Sequence, residues 1–303
     1  QDMKASDLFK QYVWLTDTIY RAGEISFQEI NGLWVKTVMS NGIPMGRTTF
    51  NRCRTAIEEI FNLNIECKKK DVYVYYIENK DILKNNSIQH WMLDSLSVSN
   101  MLLESISMKE YILLENIPSG RKHLHTIING MKLKCKLALE YKKFGREKAH
   151  NITVAPYAVK VFKQRWYLLA NDGKWDVPAV YALDRIISLE MTHQPYEYPK
   201  GFDAENFFKD CYGVVCGTKD VAKRIIIKAY PPYINYLRTL PLHASQKELE
   251  NTAEYTDFEY FLRPTFDFKQ ELLSQGAEVE VLEPIEFREE MKSMLQRMLD
   301  RYN

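Results

Sequence analysis

Apolar residues along this chain keep two rhythms, one helical and one of period two. From 5 to 21, Leu8, Val13, Leu15 and Ile19 lie among aromatic residues at mostly helical spacing. They predict a helix that Gly23 ends. Ser26, with Glu29 three residues later, forms a capping-box pattern for a second helix carrying Phe27, Ile30, Leu33, Trp34 and Val38. Asn41-Gly42 and then Pro44 break that helix. A third helix is predicted over 47–61, with Phe50, Cys53, Ile57 and Ile60 facing a core and Arg47, Asn51, Arg54 and Glu58 on its other faces. Ile65–Ile77 reads as two strands with Lys68, Lys69 and Lys70 at the turn between them. Three helices and a hairpin within about 75 residues make the winged helix-turn-helix pattern.

A polar stretch over 79–87 reads as a linker, and helices are predicted near 88–104 and 119–131. The rhythm then changes. Strands are predicted at 134–141, 151–162, 164–171 and 179–190, and Pro195, Pro199 and Gly201 close the series. Within 165–170, alternation puts Trp166, Leu168 and Ala170 on one face and Arg165, Tyr167 and Leu169 on the other, as in a small β-barrel. The final third predicts a strand over 224–229, a helix over 232–240, strands near 242–248 and 254–263, a helix over 266–275 ended by Gly276, a strand over 278–282 and a helix over 285–302. That βαββαβ order is ferredoxin-like. The fold class expected is α+β and multidomain, divided as 1–78, 79–131 (helical linker), 132–195 (barrel) and 196–303.

Composition adds little until charge is resolved by segment. The net charge of +1 conceals 14 Lys+Arg against 6 Asp+Glu over 121–190, and 7 against 14 over 246–303. The middle of the chain should attract an anion and its end should not. No apolar run reaches the roughly 18 residues of a membrane span, and no secretory leader is evident, so a cytoplasmic protein is expected. Cys53, Cys67, Cys135, Cys211 and Cys216 form no CxxC pair and read as free thiols.

Two stretches carry candidate chemistry. In the third helix, Arg47, Thr48, Thr49, Asn51, Arg52 and Arg54 surround the apolar Phe50 and Cys53. Arginine suits guanine and asparagine suits adenine in a duplex groove, and Lys68, Lys69 and Lys70 suit phosphates. In the barrel, Tyr141, Tyr157, Lys160, Lys163, Arg165, Tyr167 and Arg185 interleave aromatic rings with cations, a pattern that fits nucleotides or single-stranded nucleic acid. His123-x-His125 lacks a third metal ligand, His243 lies near Ser245 only in sequence, and neither a GxGxxG nor a Walker motif is present. No metal, cofactor or catalytic residue is therefore expected. A nucleic-acid-processing enzyme and a protein-binding scaffold are the alternative classes.

Trp166-Tyr167-Leu168, Val154-Ala155-Pro156-Tyr157 upstream of it and Leu183-Asp184-Arg185-Ile186 downstream resemble the WYL-domain transcriptional regulators, as does Tyr141. Residues 237–243, Ser245-Gln246 and 279–284 resemble the C-terminal extension often attached to such domains. The resemblance implies an N-terminal winged helix-turn-helix, an Sm/SH3-like barrel and a ferredoxin-like extension. It also implies a bacterial, often dimeric regulator that binds double-stranded operator DNA and holds a nucleic-acid or nucleotide effector in the barrel. Many members carry an arginine shortly before the LDRI motif. Pro178-Ala179-Val180-Tyr181 has none here, which leaves Lys160, Lys163 and Arg165 to supply that charge.

Overall fold

The computed structural model describes residues 5–69, 71–83, 92–95, 97, 120–216 and 221–303. The chain divides into two compact units, 1–115 and 116–303.

In the first unit, α1 (Ala5–Ala22) ends at Gly23, whose φ of +72° suits a residue without a Cβ. Strand β1 (Ile25–Ser26) leads into α2 (Phe27–Trp34) through the expected capping box. Ser26 Oγ accepts from the Glu29 amide at 3.2 Å, and the Glu29 carboxylate accepts from the Ser26 amide at 2.8 Å. Helix α3 (Arg47–Phe61) is followed by β2 (Ile65–Lys69) and β3 (Tyr73–Ile77). The antiparallel sheet runs in the order β1-β3-β2 and sets Ile25 opposite Tyr75 and Ile65 opposite Ile77. Leu15 and Ile19 of α1, Ile30 of α2, and Phe50 and Ile57 of α3 are buried in one core.

Three expectations fail here. Ile60 is 48% exposed and Phe61 is buried in its place, because the inner stripe of α3 steps four residues on from Ile57 rather than three. Val38 is not on α2, which stops at Trp34. It lies in a separate 3₁₀ turn, Val38–Ser40, and is exposed, as is Leu33. Lys68 and Lys69 lie in β2, paired with Val74 and Tyr73, rather than at the turn. Lys70 and most of the helix expected near 88–104 lie outside the described residues.

The second unit begins with a 3₁₀ turn and α4 (Leu124–Leu133). A sheet follows from β4 (Cys135–Tyr141), β5 (His150–Phe162), β6 (Arg165–Asn171), β7 (Ala179–Ala182) and β8 (Ile186–Pro195). Its antiparallel order is β7-β6-β5-β4-β8, so three hairpins build four strands and β8 returns to the far side of β4. The long strand β5 serves both halves, with a register shift between Pro156 and Ala158. A proline inside a strand lacks the ladder N–H and marks such an irregularity. Helix α4 belongs to this sheet's core through Ile127, packed with Leu137, Leu168 and Leu183, and is not a free linker. At Gly130 a Cβ would come within 2.7 Å of Leu137 Cδ2, so α4 packs closely on β4 there.

The strand expected over 179–190 is broken. Leu183–Arg185 forms a 3₁₀ turn, with Leu183 buried and β7 and β8 on either side. Alternation is lost there because β7 and β8 lie on opposite edges of the sheet, and the chain must turn between them.

Beyond α5 (Ala204–Phe208) come β9 (Lys223–Ala229), α6 (Tyr233–Thr239), β10 (Lys247–Asn251), β11 (Thr256–Leu262), α7 (Phe266–Ser274), β12 (Val279–Glu283) and α8 (Ile285–Leu299). The strands form an antiparallel sheet in the order β10-β11-β9-β12. One face buries Ile225, Ile227, Phe258 and Tyr260 against Phe268 of α7 and Phe287 of α8. The other carries ion pairs, Arg224 with Glu259 and Glu283 and Lys228 with Asp257. Strand β10 starts later than expected because Gln246 ties down the turn before it. Its amide oxygen accepts from Leu242 N and Tyr260 Oη, and its NH₂ donates to Leu237 O at 2.7 Å.

Candidate functional site

Helix α3 presents one of two candidate surfaces. Its buried stripe of Phe50, Cys53, Ile57 and Phe61 fixes its rotation. Thr48, Asn51 and Arg52 are left exposed, with Thr49 half-buried. Arg47 is exposed but anchored: its guanidinium lies 4.1 Å from the centroid of the Phe27 ring and donates to Tyr75 Oη at 3.0 Å. Arg54 is half-buried and pairs with Glu58 one turn on, at 3.6 Å. In β2, Lys68 and Lys69 are both exposed; Lys68 pairs with Glu24 and lies near the Tyr76 ring.

The other surface is a cavity of about 890 Å³ in the second unit. Tyr141 and Tyr167 line it from the five-stranded sheet, Arg185 from the 3₁₀ turn between β7 and β8, Trp175 from the β6–β7 loop, and Phe207 and Phe266 from the elements after β8. The Tyr141 hydroxyl accepts from the Ala182 amide at 3.2 Å, tying the end of β4 to the start of the 3₁₀ turn that carries Arg185. Burial raises the pKa of Tyr141 and of Tyr167, so both phenols remain neutral donors. The Arg185 guanidinium lies 3.8 Å from the centroid of the Phe144 ring. Its buried Nε has no hydrogen-bond partner among the described residues, and neither does Asp184 Oδ1.

The remaining cations expected at this site have partners of their own and do not line the cavity. Lys160 Nζ donates to Gly213 O at 2.7 Å and lies 4.1 Å from the Phe208 ring centroid. Burial lowers its pKa. Lys163 pairs with Glu271 at 2.6 Å. Burial opposes ionisation of Glu271, yet hydrogen bonds from Lys163 and Tyr212 hold its carboxyl below the usual range. Arg165 pairs with Asp184 at 3.4 Å. Tyr157 packs with Tyr196, Tyr198 and Phe202. Against Arg185, the lining includes two carboxylates, Asp176 and Asp267. Sequence reasoning missed Trp175, Phe207, Phe266 and Asp267, which come from a loop and from the region after β8, where no period points inward. An exposed tryptophan between Gly173 and Pro178 was the one available signal.

The histidines have other work. His123 is buried with Nε2 3.0 Å from Ile186 O, while His125 neighbours Asn129. His243 lies between Ser245 Oγ (2.7 Å) and Lys209 O (2.8 Å), and Ser245 Oγ also accepts from Phe261 N at 2.9 Å. That arrangement holds a turn. Among the described residues no group of three or more His, Cys, Asp or Glu could hold a metal. No helix among them is long and apolar enough to cross a membrane.

Residues 122–191, which span α4 to β8 and include Tyr141, Tyr167 and Arg185, match the family model of the WYL domain. Residues 224–299 match that of the WCX domain. The chain carries both domains. The WYL domain thus contributes Arg185 and its tyrosines to the cavity, and the WCX domain contributes Phe266 and Asp267. No curated protein matches the chain by sequence. Among solved structures, the chain is similar to proteasome accessory factor B/C (PafBC) of Arthrobacter aurescens, at 14% identity and a TM-score of 0.33 over 89% of this chain. The match spans 45% of that chain, less than half its length. It is also similar to a CRISPR Cas-related protein at 14% identity and a TM-score of 0.39, over 100% of this chain and 88% of the other.

Proposed function

We propose that this chain is a sequence-specific DNA-binding transcription regulator whose WYL domain senses a nucleotide or nucleic-acid effector. The observation that carries the reading is α3: an apolar stripe docks it on its own unit while Thr48, Asn51 and Arg52 stand exposed on the opposite side. Side chains of those types hydrogen-bond base edges and phosphates in a major groove. The order α1-β1-α2-α3-β2-β3, with β1 joining the hairpin through β3, supports a winged helix-turn-helix with Lys68 and Lys69 on the wing. The sheet order β7-β6-β5-β4-β8 with its bent β5 supports an Sm/SH3-like barrel. The order β10-β11-β9-β12 supports a ferredoxin-like WCX domain.

The effector site in this reading is the cavity of the WYL domain. Trp175, Tyr167 and Phe266 offer faces for a base, and Arg185 offers one guanidinium to a phosphate. The protein acts as a bacterial, cytoplasmic homodimer and binds rather than catalyses. Effector binding favours one dimer arrangement and so sets the spacing of the two recognition helices on operator DNA.

The test is selection of bound duplexes from a randomised pool, followed by titration of the winning sequence at matched salt against Asn51→Ala and Arg52→Ala. Enrichment of a defined motif, weakened by either substitution in a folded protein, is the expected outcome. No motif, or unchanged affinity in both variants, overturns the reading.

A further inference from the structure

Arg185 lines two hollows of the second unit. One is the cavity described above. The other, of about 440 Å³, is formed by the β4–β5 loop and the chain that enters β8. Lys142, Lys143, Phe144 and Arg146 line it from the loop, and Asp184 and Arg185 from the 3₁₀ turn. The loop has a defined shape. The Lys142 amide donates to Arg185 O at 3.1 Å, the Arg146 amide donates to Lys143 O at 3.2 Å, and Gly145 takes a φ of +75° in the turn. The ring of Phe144, itself 72% exposed, lies under the Arg185 guanidinium at 3.8 Å. A guanidinium stacked on a ring keeps its in-plane donors for a partner.

The two hollows differ in charge. In the cavity, Asp176 and Asp267 outnumber Arg185, and Asp267 accepts from the amides of Val214 and Val215, both at 2.8 Å. In the loop hollow, Lys142, Lys143, Arg146 and Arg185 stand against Asp184, whose carboxylate pairs with Arg165 at 3.4 Å. Lys142, Lys143 and Arg146 are exposed and form no ion pair among the described residues. A second phosphate would therefore meet carboxylates in the cavity and cations in the loop hollow.

We propose that the β4–β5 loop is a phosphate subsite, reached from the cavity across Arg185, for an effector that carries two or more phosphates in a row. The inference rests on the nucleotide reading above. The base lies among Trp175, Tyr167 and Phe266, the first phosphate meets Arg185, and those beyond it meet Lys142, Lys143 and Arg146. Lysines serve there as point charges on flexible stems. The tail of a nucleoside polyphosphate and consecutive nucleotides of a strand share this chemistry.

The full chain is titrated by calorimetry at matched low salt, without divalent cations. The probes are adenosine monophosphate and triphosphate, thymidine monophosphate and a thymidine tetranucleotide, and inorganic tripolyphosphate. The triphosphate or the tetranucleotide should bind roughly tenfold or more tightly than its own monophosphate. In the double variant Lys142→Ala, Lys143→Ala, at two exposed positions, that ratio should fall towards one. A gain for the triphosphate makes the ligand a polyphosphate, and a gain for the tetranucleotide alone makes it a strand. Equal affinity across both series, or a gain that the double variant keeps, overturns the subsite. Tripolyphosphate separates the two failures. If it binds through the two lysines while neither monophosphate binds, the subsite stands and the nucleotide reading falls; if no probe binds, both fall.

Discussion

The cations of α3 and those of the WYL domain are used in opposite ways. On α3 an apolar stripe does the docking, so Thr48, Asn51 and Arg52 are left exposed, and Arg47 is held in place by Phe27 and Tyr75 without being buried. In the second unit the cations expected at the cavity are mostly spent on the chain itself: Lys160 on a carbonyl, Lys163 on Glu271 and Arg165 on Asp184. Only Arg185 of the expected cations lines the cavity, whose wall also includes Asp176 and Asp267. A positive segment in sequence is therefore not a positive site. What matters is whether neighbouring carboxylates have already neutralised it, and in the second unit Glu271 and Asp184 do so.

The largest expected effect strikes the scaffold behind α3. Phe50→Ala removes a fully buried ring packed edge-on against Phe27 and Tyr75, and should cost about 3–5 kcal/mol. Urea denaturation followed by circular dichroism reads it, and a cost under about 1 kcal/mol would mean the stripe does not hold the helix. Next, Asn51→Ala with Arg52→Ala should weaken binding to the selected duplex by roughly 1–3 kcal/mol for each bidentate pairing with a base edge that is removed, while leaving the melting temperature unchanged. Lys163→Ala should leave that affinity alone, and equal weakening by both would erase the contrast between the two regions.

Within the second unit, Arg185→Ala should weaken binding of a fluorescent mononucleotide by roughly 1.5–3 kcal/mol, the range for a hydrogen bond to a charged group, and Lys163→Ala should not. A Lys163 effect as large as that of Arg185 would show that the Glu271 pair opens to take ligand. As a surface pair, Lys163–Glu271 should contribute no more than about 1 kcal/mol to stability.

The smallest effect is one of pH. Burial lowers the pKa of both His123 and His243 from 6.5, so the folded state favours the neutral imidazoles. Stability from this source is present above 6.5 and is lost as pH falls below it, because the unfolded chain then binds more protons. Denaturation midpoints of the second unit, read on either side of 6.5, should fall on the acid side. His243→Gln should flatten part of that slope, and a midpoint that rises with acid would contradict the burial argument.

Local signals were legible wherever a single element supplied its own reason. Ser26 and Glu29 close a capping box within one turn, Gly23 ends α1, and period-two alternation marks β4 to β6. Spacing misled at Ile60, where the inner stripe runs on to the larger Phe61, and across Leu183–Arg185, where two strands joined by a tight turn read as one. The cavity was half legible: Tyr141, Tyr167 and Arg185 carry the motif, whereas Phe207, Phe266 and Asp267 lie far along the chain.

The sequence alone therefore determined most of the elements, their order and the Phe50–Cys53–Ile57 stripe of α3, because hydrophobic spacing and caps act over a few residues and need no distant partner. Tertiary structure decided which charges remain available. Ion pairs such as Lys163–Glu271 and the Asp267 grip on Val214 and Val215 join residues more than fifty positions apart, and only the folded backbone brings them within hydrogen-bonding reach.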